Sequence, residues 1–515
     1  MTKYNYLYYS LAVWILFNSI SCTKLTEDPK SFIVVDNFYK TEADAIAAVD
    51  AIYFSLNNNL PEGQHQMYGS LFNTAMDMMT DDVTSGPGTP NPNVRELAIL
   101  THSSTNIRVE QMWQQQYIAI NKANAAIDHI ADMSIREGLK SRLLGESKFL
   151  RALFYFNLVR LFGDVPLLLT DQTSVPIEEL QVARTPATEV YAQIIRDLEE
   201  AANFLKNGVE GEAGRATEGA AVSLLAKVYL TKREWGKAVQ TAESVINGSY
   251  GYNLMADYSH VFLPAYKNNK EHIFSAQFKG FAQGQGHAST SRAIRSGVPG
   301  LRGTYGDQVV FYKKGSDNNF SVFKLYSARD NRKNVTFVTR FQSPTNGQWY
   351  GSLIDPSVPG DSVPYFNKYW DPDAVLNTSE SAANTPILRF AEVLLVHAEA
   401  ENELNGPTAK AYISYNRVRQ RANLLPLSGL TKDQFRDSLY LDRRLELIYE
   451  FQRYFDLIRQ IGSETTGVGP ESKGILLKSL REAGKTNVAE RHYLYPIPYL
   501  EIQRNPKLTQ NPGWD

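Results

Sequence analysis

TEGAAVSLLAKVYLTKREWGKAVQTAESVING, Thr217 to Gly248, decides the fold. Laid over the 34-residue helix-turn-helix repeat called tetratricopeptide, it puts Leu225, Ala226, Tyr229, Ala238 and Ala242 where that repeat wants large, small, aromatic, small and bulky-or-small residues. Small residues let paired helices approach closely, and the apolar face left over is buried by the next unit. Residues 389–422 repeat the scheme more loosely with Leu395, Ala398, Asn402, Ala411, Tyr415 and Val418. Ordinary helical hairpins are the alternative reading of these two segments.

Outward from this pair, helical periodicity recurs. Thr41 stands as N-cap of a helix running to Leu56, with Asp44 three residues on. From Glu146 to Phe162, apolar residues fall at helical steps and on the other faces too, which predicts a helix buried nearly all round. Gly163, with Pro166 beyond it, stops that helix. From about Tyr250 to Asn384 the stripe fades, Gly and Pro punctuate the chain, and β-prone pieces such as Asn334 to Phe341 predict short strands in a loop-rich insertion. Between Tyr305 and Trp370, 14 of the 66 residues are Phe, Tyr or Trp, roughly twice the 11% of the whole chain.

The composition of the 515 residues, 43% hydrophobic and 21% charged, is that of a globular protein. With 53 Lys+Arg against 55 Asp+Glu the net charge is -2, and no basic block supplies the footprint of a nucleic-acid binder. Residues 1–21 carry Lys3, an apolar run from Leu7 to Phe17 and small residues up to Ser21, the order of a secretory signal too short to span a bilayer. Cys22 follows directly and is the only cysteine, so no intramolecular disulfide is possible. This arrangement resembles a bacterial lipobox, which makes Cys22 the expected lipidation site and 22–37 a tether.

Signatures of nucleotide binding and hydrolysis are absent: no P-loop, no G-x-G-x-x-G, no G-x-S-x-G, no H-E-x-x-H. No two of the eight histidines stand at ligand spacing, so neither metal nor cofactor is expected. Glu399 and Glu403 are four apart on one helix, which reads as a solvated face rather than a glycosidase pair. DRRLELIYEFQRYFDLIRQ, Asp442 to Gln460, puts Arg443, Glu446, Glu450, Arg453, Asp456 and Arg459 at three- and four-residue steps, the pattern of a structural ion-pair ladder along one helix or between two. No catalytic residue is nominated.

Seven stretches in order resemble the SusD/RagB-like outer-membrane lipoproteins of Bacteroidetes. They are FYKTEADAIAAVDAIY from Phe38, YIAINKANAAI from Tyr117, ESKFLRALFYFNLVRLFGDVPLL from Glu146, GRATEGAAVSLLAKVYL from Gly214, RFAEVLLVHAEAENELNG from Arg389, the string from Asp442, and LYPIPYLEIQRNPKLTQNPGW from Leu494. The resemblance implies a mostly α fold, with tetratricopeptide-like repeats forming a superhelical scaffold over 38–249 and 386–515 around one irregular insertion of about 250–385. It also implies a lipid-anchored protein of the outer membrane, facing the exterior, that captures oligosaccharides for a SusC-like TonB-dependent transporter. Some relatives, resembling RagB, take peptides instead. The residues themselves nominate the ligand platform: Trp349 and Tyr350 follow the turn formers Pro344 to Gln348, Asn346 and Gln348 offer amides to hydroxyls, and Tyr305 follows a Gly-rich run. Trp113 and Trp370 read as packing residues.

Overall fold

The computed structural model describes residues 38–57, 66–85, 89, 91–206, 213–279, 308–310, 322–342, 346–351, 365–371, 381–462 and 473–514. It is mostly helical. Ten helices carry the scaffold: α1 (Glu42–Asn57), α2 (Ile107–Asp132), α3 (Glu137–Phe162), α4 (Ala187–Phe204), α5 (Glu218–Thr231), α6 (Trp235–Asn247), α7 (Phe390–Asn405), α8 (Ala409–Arg421), α9 (Lys432–Leu447) and α10 (Arg453–Arg459). From α1 to α8 each packs on the next, and α7 also packs on α9. Because α6 lies on α7, residues 248–389 leave the stack and rejoin it without interrupting it.

All of the repeat positions read from the sequence are buried, from Leu225, Ala226 and Tyr229 on α5 to Ala411, Tyr415 and Val418 on α8. The cap of α1 is reciprocal: the Thr41 N–H donates to Asp44 Oδ2 at 2.7 Å, and the Asp44 N–H donates to Thr41 Oγ1 at 3.2 Å. On α3 every residue from Leu143 to Phe162 except Lys148 is buried. Such a helix needs its polar residues satisfied from within. Arg151 does this by donating to Asp197 on α4 at 2.7 and 2.8 Å and to Asn124 Oδ1 on α2 at 3.0 Å, so one guanidinium registers three helices. Gly163 ends α3 at φ +72, a left-handed conformation that a Cβ would strain.

Among the described residues, eight short strands lie outside the stack: β1 (Val83–Ser85), β2 (His272–Ala276), β3 (Gln308–Val310), β4 (Phe337–Val338), β5 (Arg340–Gln342), β6 (Trp349–Gly351), β7 (Tyr365–Phe366) and β8 (Thr385–Arg389). All pair antiparallel in twos, β1 with β3, β2 with β8, β4 with β7 and β5 with β6. The β2–β8 ladder ties together the two ends of the excursion, and β8 runs directly into α7.

Two expectations need correction, and one open alternative is decided. Of the β-prone piece Asn334 to Phe341, residues 334–336 belong to a short helix, Arg332–Thr336, and extended structure starts only at Phe337. The string from Asp442 takes the second of the two arrangements its spacing left open, a ladder between two helices: α9 stops at Leu447, Tyr449 (φ +64) and Phe451 (φ +61) turn the chain before α10, and Arg443 on α9 meets Asp456 on α10 at 2.9 Å. Glu399 and Glu403 are not a solvated face. Both are buried, Glu399 against Arg459 at 2.5 Å and Glu403 against Arg436 at 2.5 Å, because α9 and α10 cover that side of α7 with guanidinium groups.

Candidate functional site

A buried ion-pair network fastens the excursion to the helices. Arg389, the last residue of β8, donates to Glu450 Oε2 (2.6 Å) and Oε1 (2.8 Å), Glu271 Oε1 (2.7 Å), Glu446 Oε1 (2.9 Å) and the Glu446 carbonyl (3.0 Å). Arg332 meets Asp330, Asp442 and Glu446, Lys368 meets Glu450 at 2.5 Å, Arg421 meets Glu271 and Glu446, and Arg419 meets Asp442 at 2.5 Å. Five cations thus face five carboxylates. Burial alone would raise the Glu446 carboxyl, yet Arg421, Arg389 and Arg332 hold it well below the usual carboxylate range. With each charge answered by another, this cluster is structural, in agreement with its reading from the sequence.

The nominated platform falls on the β5–β6 hairpin. Gln342 pairs with Trp349, Phe341 with Tyr350 and Arg340 with Gly351. The turn is built by Asn346, whose Oδ1 accepts the Gln348 N–H at 3.0 Å, and by Gly347 at φ +67, whose carbonyl accepts from Gln342 Nε2 at 3.0 Å. Trp349 is 59% exposed, and Asn346 and Gln348 are exposed beside it. The structure therefore brings Trp349, Asn346 and Gln348 together on one hairpin, with the backbone of Tyr350 on the same strand. Tyr305 and Cys22 lie outside the described residues. Trp113 is buried edge-on against Phe162, with ring centroids 5.0 Å apart; Trp370 is half-buried.

Neighbouring strands join this hairpin to the rest of the excursion. β5 follows β4 after one residue, β4 pairs with β7, β7 lies beside β3, and β3 pairs with β1 so that Ser85 faces Gln308. The chain leaves β1 and enters β3 at the same edge.

A cleft of about 640 Å³ that sequence reasoning missed opens where α3, the 213–219 turn and β2 meet. Tyr250 and Tyr252 stack on its wall, centroids 5.8 Å apart and 27° from parallel, and Tyr252 Oη lies 2.9 Å from Thr217 Oγ1. Arg215 bridges Glu146 at 2.9 Å and Asp50 at 2.6 Å, and burial pushes His272 down to about 4, so it lines the cleft as a neutral ring. The alternating Tyr250-Gly251-Tyr252 was the available signal. The Arg215–Glu146 pair, 69 positions apart, left none.

No described helix is long and apolar enough to cross a membrane. Residues 34–230 match a family model described as starch-binding, associating with outer membrane, and residues 270–514 match the model of the SusD family. A SusD-like protein of Formosa agariphila, P2, is 29% identical over 522 residues, spanning 97% of this chain and 98% of that one. The crystal structure of a SusD superfamily protein from Parabacteroides distasonis superposes with a TM-score of 0.74 at 27% identity, covering 92% of this chain and 99% of that one. A solved laminarin-binding SusD-like protein gives 0.73 at 25%, covering 92% and 100%. Matched by family models on both sides of residues 231–269, and by relatives nearly end to end, the chain belongs to the SusD/RagB family.

Proposed function

We propose that this protein is a non-enzymatic surface glycan-binding lipoprotein that captures oligosaccharides and hands them to a SusC-like TonB-dependent outer-membrane transporter. The observation that carries the reading is the exposed indole of Trp349 on a hairpin whose turn fixes Asn346 and Gln348 alongside. A pyranose presents an apolar C–H face to an aromatic ring while its hydroxyls seek planar amides, and a hairpin pinned by its own hydrogen bonds offers both without a large ordering cost. Tyr350 and Tyr305 complete the proposed platform. The laminarin-binding relative and the starch-binding family description support a glycan over the RagB-like alternative, peptide capture. The division of labour proposed is a helical scaffold, 38–249 and 386–515, that meets the transporter, and an insertion of about 250–385 that holds ligand, all in a single domain.

The test is calorimetry with laminarihexaose, maltohexaose and a peptide panel. Trp349→Ala is expected to weaken glycan binding roughly tenfold, about 1.4 kcal/mol, with an unchanged melting curve. Glycan affinity equal to the parent's in a folded Trp349→Ala protein removes the hairpin from the site, and binding of peptides alone moves the reading to the RagB-like alternative. Anchoring is checked separately. Cys22→Ala is expected to shift the protein out of the outer-membrane fraction and abolish labelled fatty-acid incorporation; retention of both would end the lipoprotein reading.

A further inference from the structure

On the opposite end of α3 from the tyrosine cleft lies a second cavity, about 570 Å³, bounded by the C-terminal turn of α3, the first turn of α4, α10 and the C-terminal segment. Its lining is one-sided in charge. Arg160, Arg184, Arg233, Arg459 and Lys473 contribute to it, and the only carboxylate among the described lining residues is Asp164, whose Oδ1 already accepts the Ala187 N–H at 2.7 Å.

Two of the five cations are answered elsewhere. Arg459 pairs with Glu399 and Asp456, and Lys473 with Glu490. The other three form no ion pair with any described residue. Arg184 donates to the carbonyls of Phe162, Asp164 and Thr509 and to Asn511 Oδ1, so it clasps the tail to the end of α3. Arg160 donates to the Phe156 carbonyl and to Asn157 Oδ1, both at 2.9 Å, and its guanidinium is clamped 3.7 and 3.5 Å from the centroids of Phe156 and Phe455. Arg233 donates only to the Arg459 carbonyl, at 2.8 Å. A guanidinium has five N–H donors, so most of those on Arg160 and Arg233 make no bond to described residues. Burial pushes the Arg160 guanidinium down to about 10 and also lowers Arg184 and Arg233; the carboxylates nearest them, Glu392, Asp164, and Glu399 with Glu403, only partly offset the loss of water.

This contrasts with the network around Arg389, where every buried charge is paired. Buried charges are ordinarily paired because desolvation is expensive. A cavity that holds two under-bonded guanidinium groups, one of them clamped between rings, is therefore complementary to a planar or tetrahedral oxyanion, which they can meet in fork geometry. Its volume exceeds what a bare ion fills and falls in the range of small-molecule sites, while Tyr191 and Tyr493 supply ring surface on its wall.

We propose that this cavity binds an acidic sugar unit, with Arg160 and Arg233 as the direct ligands of its carboxylate or sulfate group and Arg184 as a positioning residue. The proposal rests on the glycan-binding reading and narrows it: the oligosaccharide captured carries acidic units, read at a site apart from the Trp349 hairpin.

Isothermal titration of the mature protein with D-glucuronate, galactose 6-sulfate and neutral D-glucose tests it, with laminarihexaose as a separate titration. At least one acidic sugar is expected to bind and glucose not to, with affinity falling as NaCl rises from 50 to 500 mM. Which of the two binds separates carboxylate from sulfate. Arg233→Gln is expected to weaken acidic-sugar binding at least tenfold and Arg233→Lys to restore part of it, both variants retaining the parent's far-ultraviolet circular dichroism and its laminarihexaose affinity. Equal affinity for glucose and the acidic sugars, no binding of either acidic sugar, or parental acidic-sugar affinity in Arg233→Gln would overturn the proposal. Laminarihexaose binding without acidic-sugar binding leaves the glycan reading standing while this one falls; the reverse result keeps the cavity and removes the hairpin.

Discussion

Arg389→Met should destabilise the protein by about 3–5 kcal/mol, the range for removing one partner from a buried ion pair. All five N–H donors of Arg389 are engaged: two at Glu450, one each at Glu271 and the Glu446 carboxylate, and one at the Glu446 carbonyl. Methionine fills comparable volume, so the effect is charge and not cavity. Five carboxylates then face four cations, and the excess negative charge is buried, since Glu271, Glu446 and Glu450 are each no more than 2% exposed. Equilibrium denaturation in urea measures the change. A double variant, Arg389→Met with Glu450→Gln, should recover part of the loss, because it restores the balance of charge. A loss under about 1 kcal/mol for the single variant would mean that Arg421, Arg332 and Lys368 rearrange to share the remaining carboxylates, and the network would no longer be the fastening of the excursion.

The parts of this fold that were legible in the sequence are those whose cause is local. Ala226, Ala238 and Ala398 announce close helix contact by their size, Gly163 announces a helix end by its freedom at positive φ, and Thr41 with Asp44 announces a helix start. What was not legible depends on partners far along the chain. Glu399 and Glu403 look like a solvated stripe at four-residue spacing, and only the packing of α9 and α10 on α7 turns them inward. Likewise the string from Asp442 leaves one helix and two equally open, because no Pro or Gly marks the break. Tyr449 and Phe451 adopt positive φ against their intrinsic preference, and Glu450 between them reaches Arg389 and Lys368.

The same distinction governs the candidate sites. The hairpin with Trp349 was legible because turn formers followed by adjacent aromatics are a local pattern, and the structure shows that the indole is exposed. Neither cleft was legible. The tyrosine cleft needs Glu146, Arg215 and His272 from three separate elements, and the cationic cavity joins the ends of α3 and α5 to the C-terminal segment. Arginines at positions 160, 184 and 233 are unremarkable in a chain with 53 basic residues; only the missing carboxylates opposite them give them meaning.

Acid should weaken this protein well before its carboxylates titrate. His102 and His492 are buried with their rings 5.6 Å apart, and Trp514 packs on both at 4.9 and 5.2 Å. The Ala489 N–H donates to His492 Nδ1 at 2.9 Å, which that nitrogen accepts only while it is unprotonated. Burial pushes His102 down to about 3 and His492 to about 4, and it pushes His272 to about 4 as well. All three folded-state values lie below the unfolded 6.5. Between pH 6.5 and 4 the unfolded chain therefore binds more protons than the folded one, and stability falls as pH falls through that window. Each histidine can contribute up to about 1.4 kcal/mol per pH unit there. Glu146 and Asp82, whose carboxyls burial raises, oppose the trend, so a net loss of about 2–4 kcal/mol from pH 6.5 to 5 is expected. Lys227 and Lys368, lowered to about 8, act above that window, while Lys485, lowered to about 7, adds a small loss of the same sign between pH 7 and 6. Urea denaturation at pH 7.0, 6.0 and 5.0 reads the slope, and His102→Gln should flatten it in part, since His492, His272 and the likewise lowered His397 still contribute. Stability that stays level from pH 7.0 to 5.0 would mean that these rings reach solvent in the folded state, and the aromatic seal of Trp514 over His102 and His492 would be wrong.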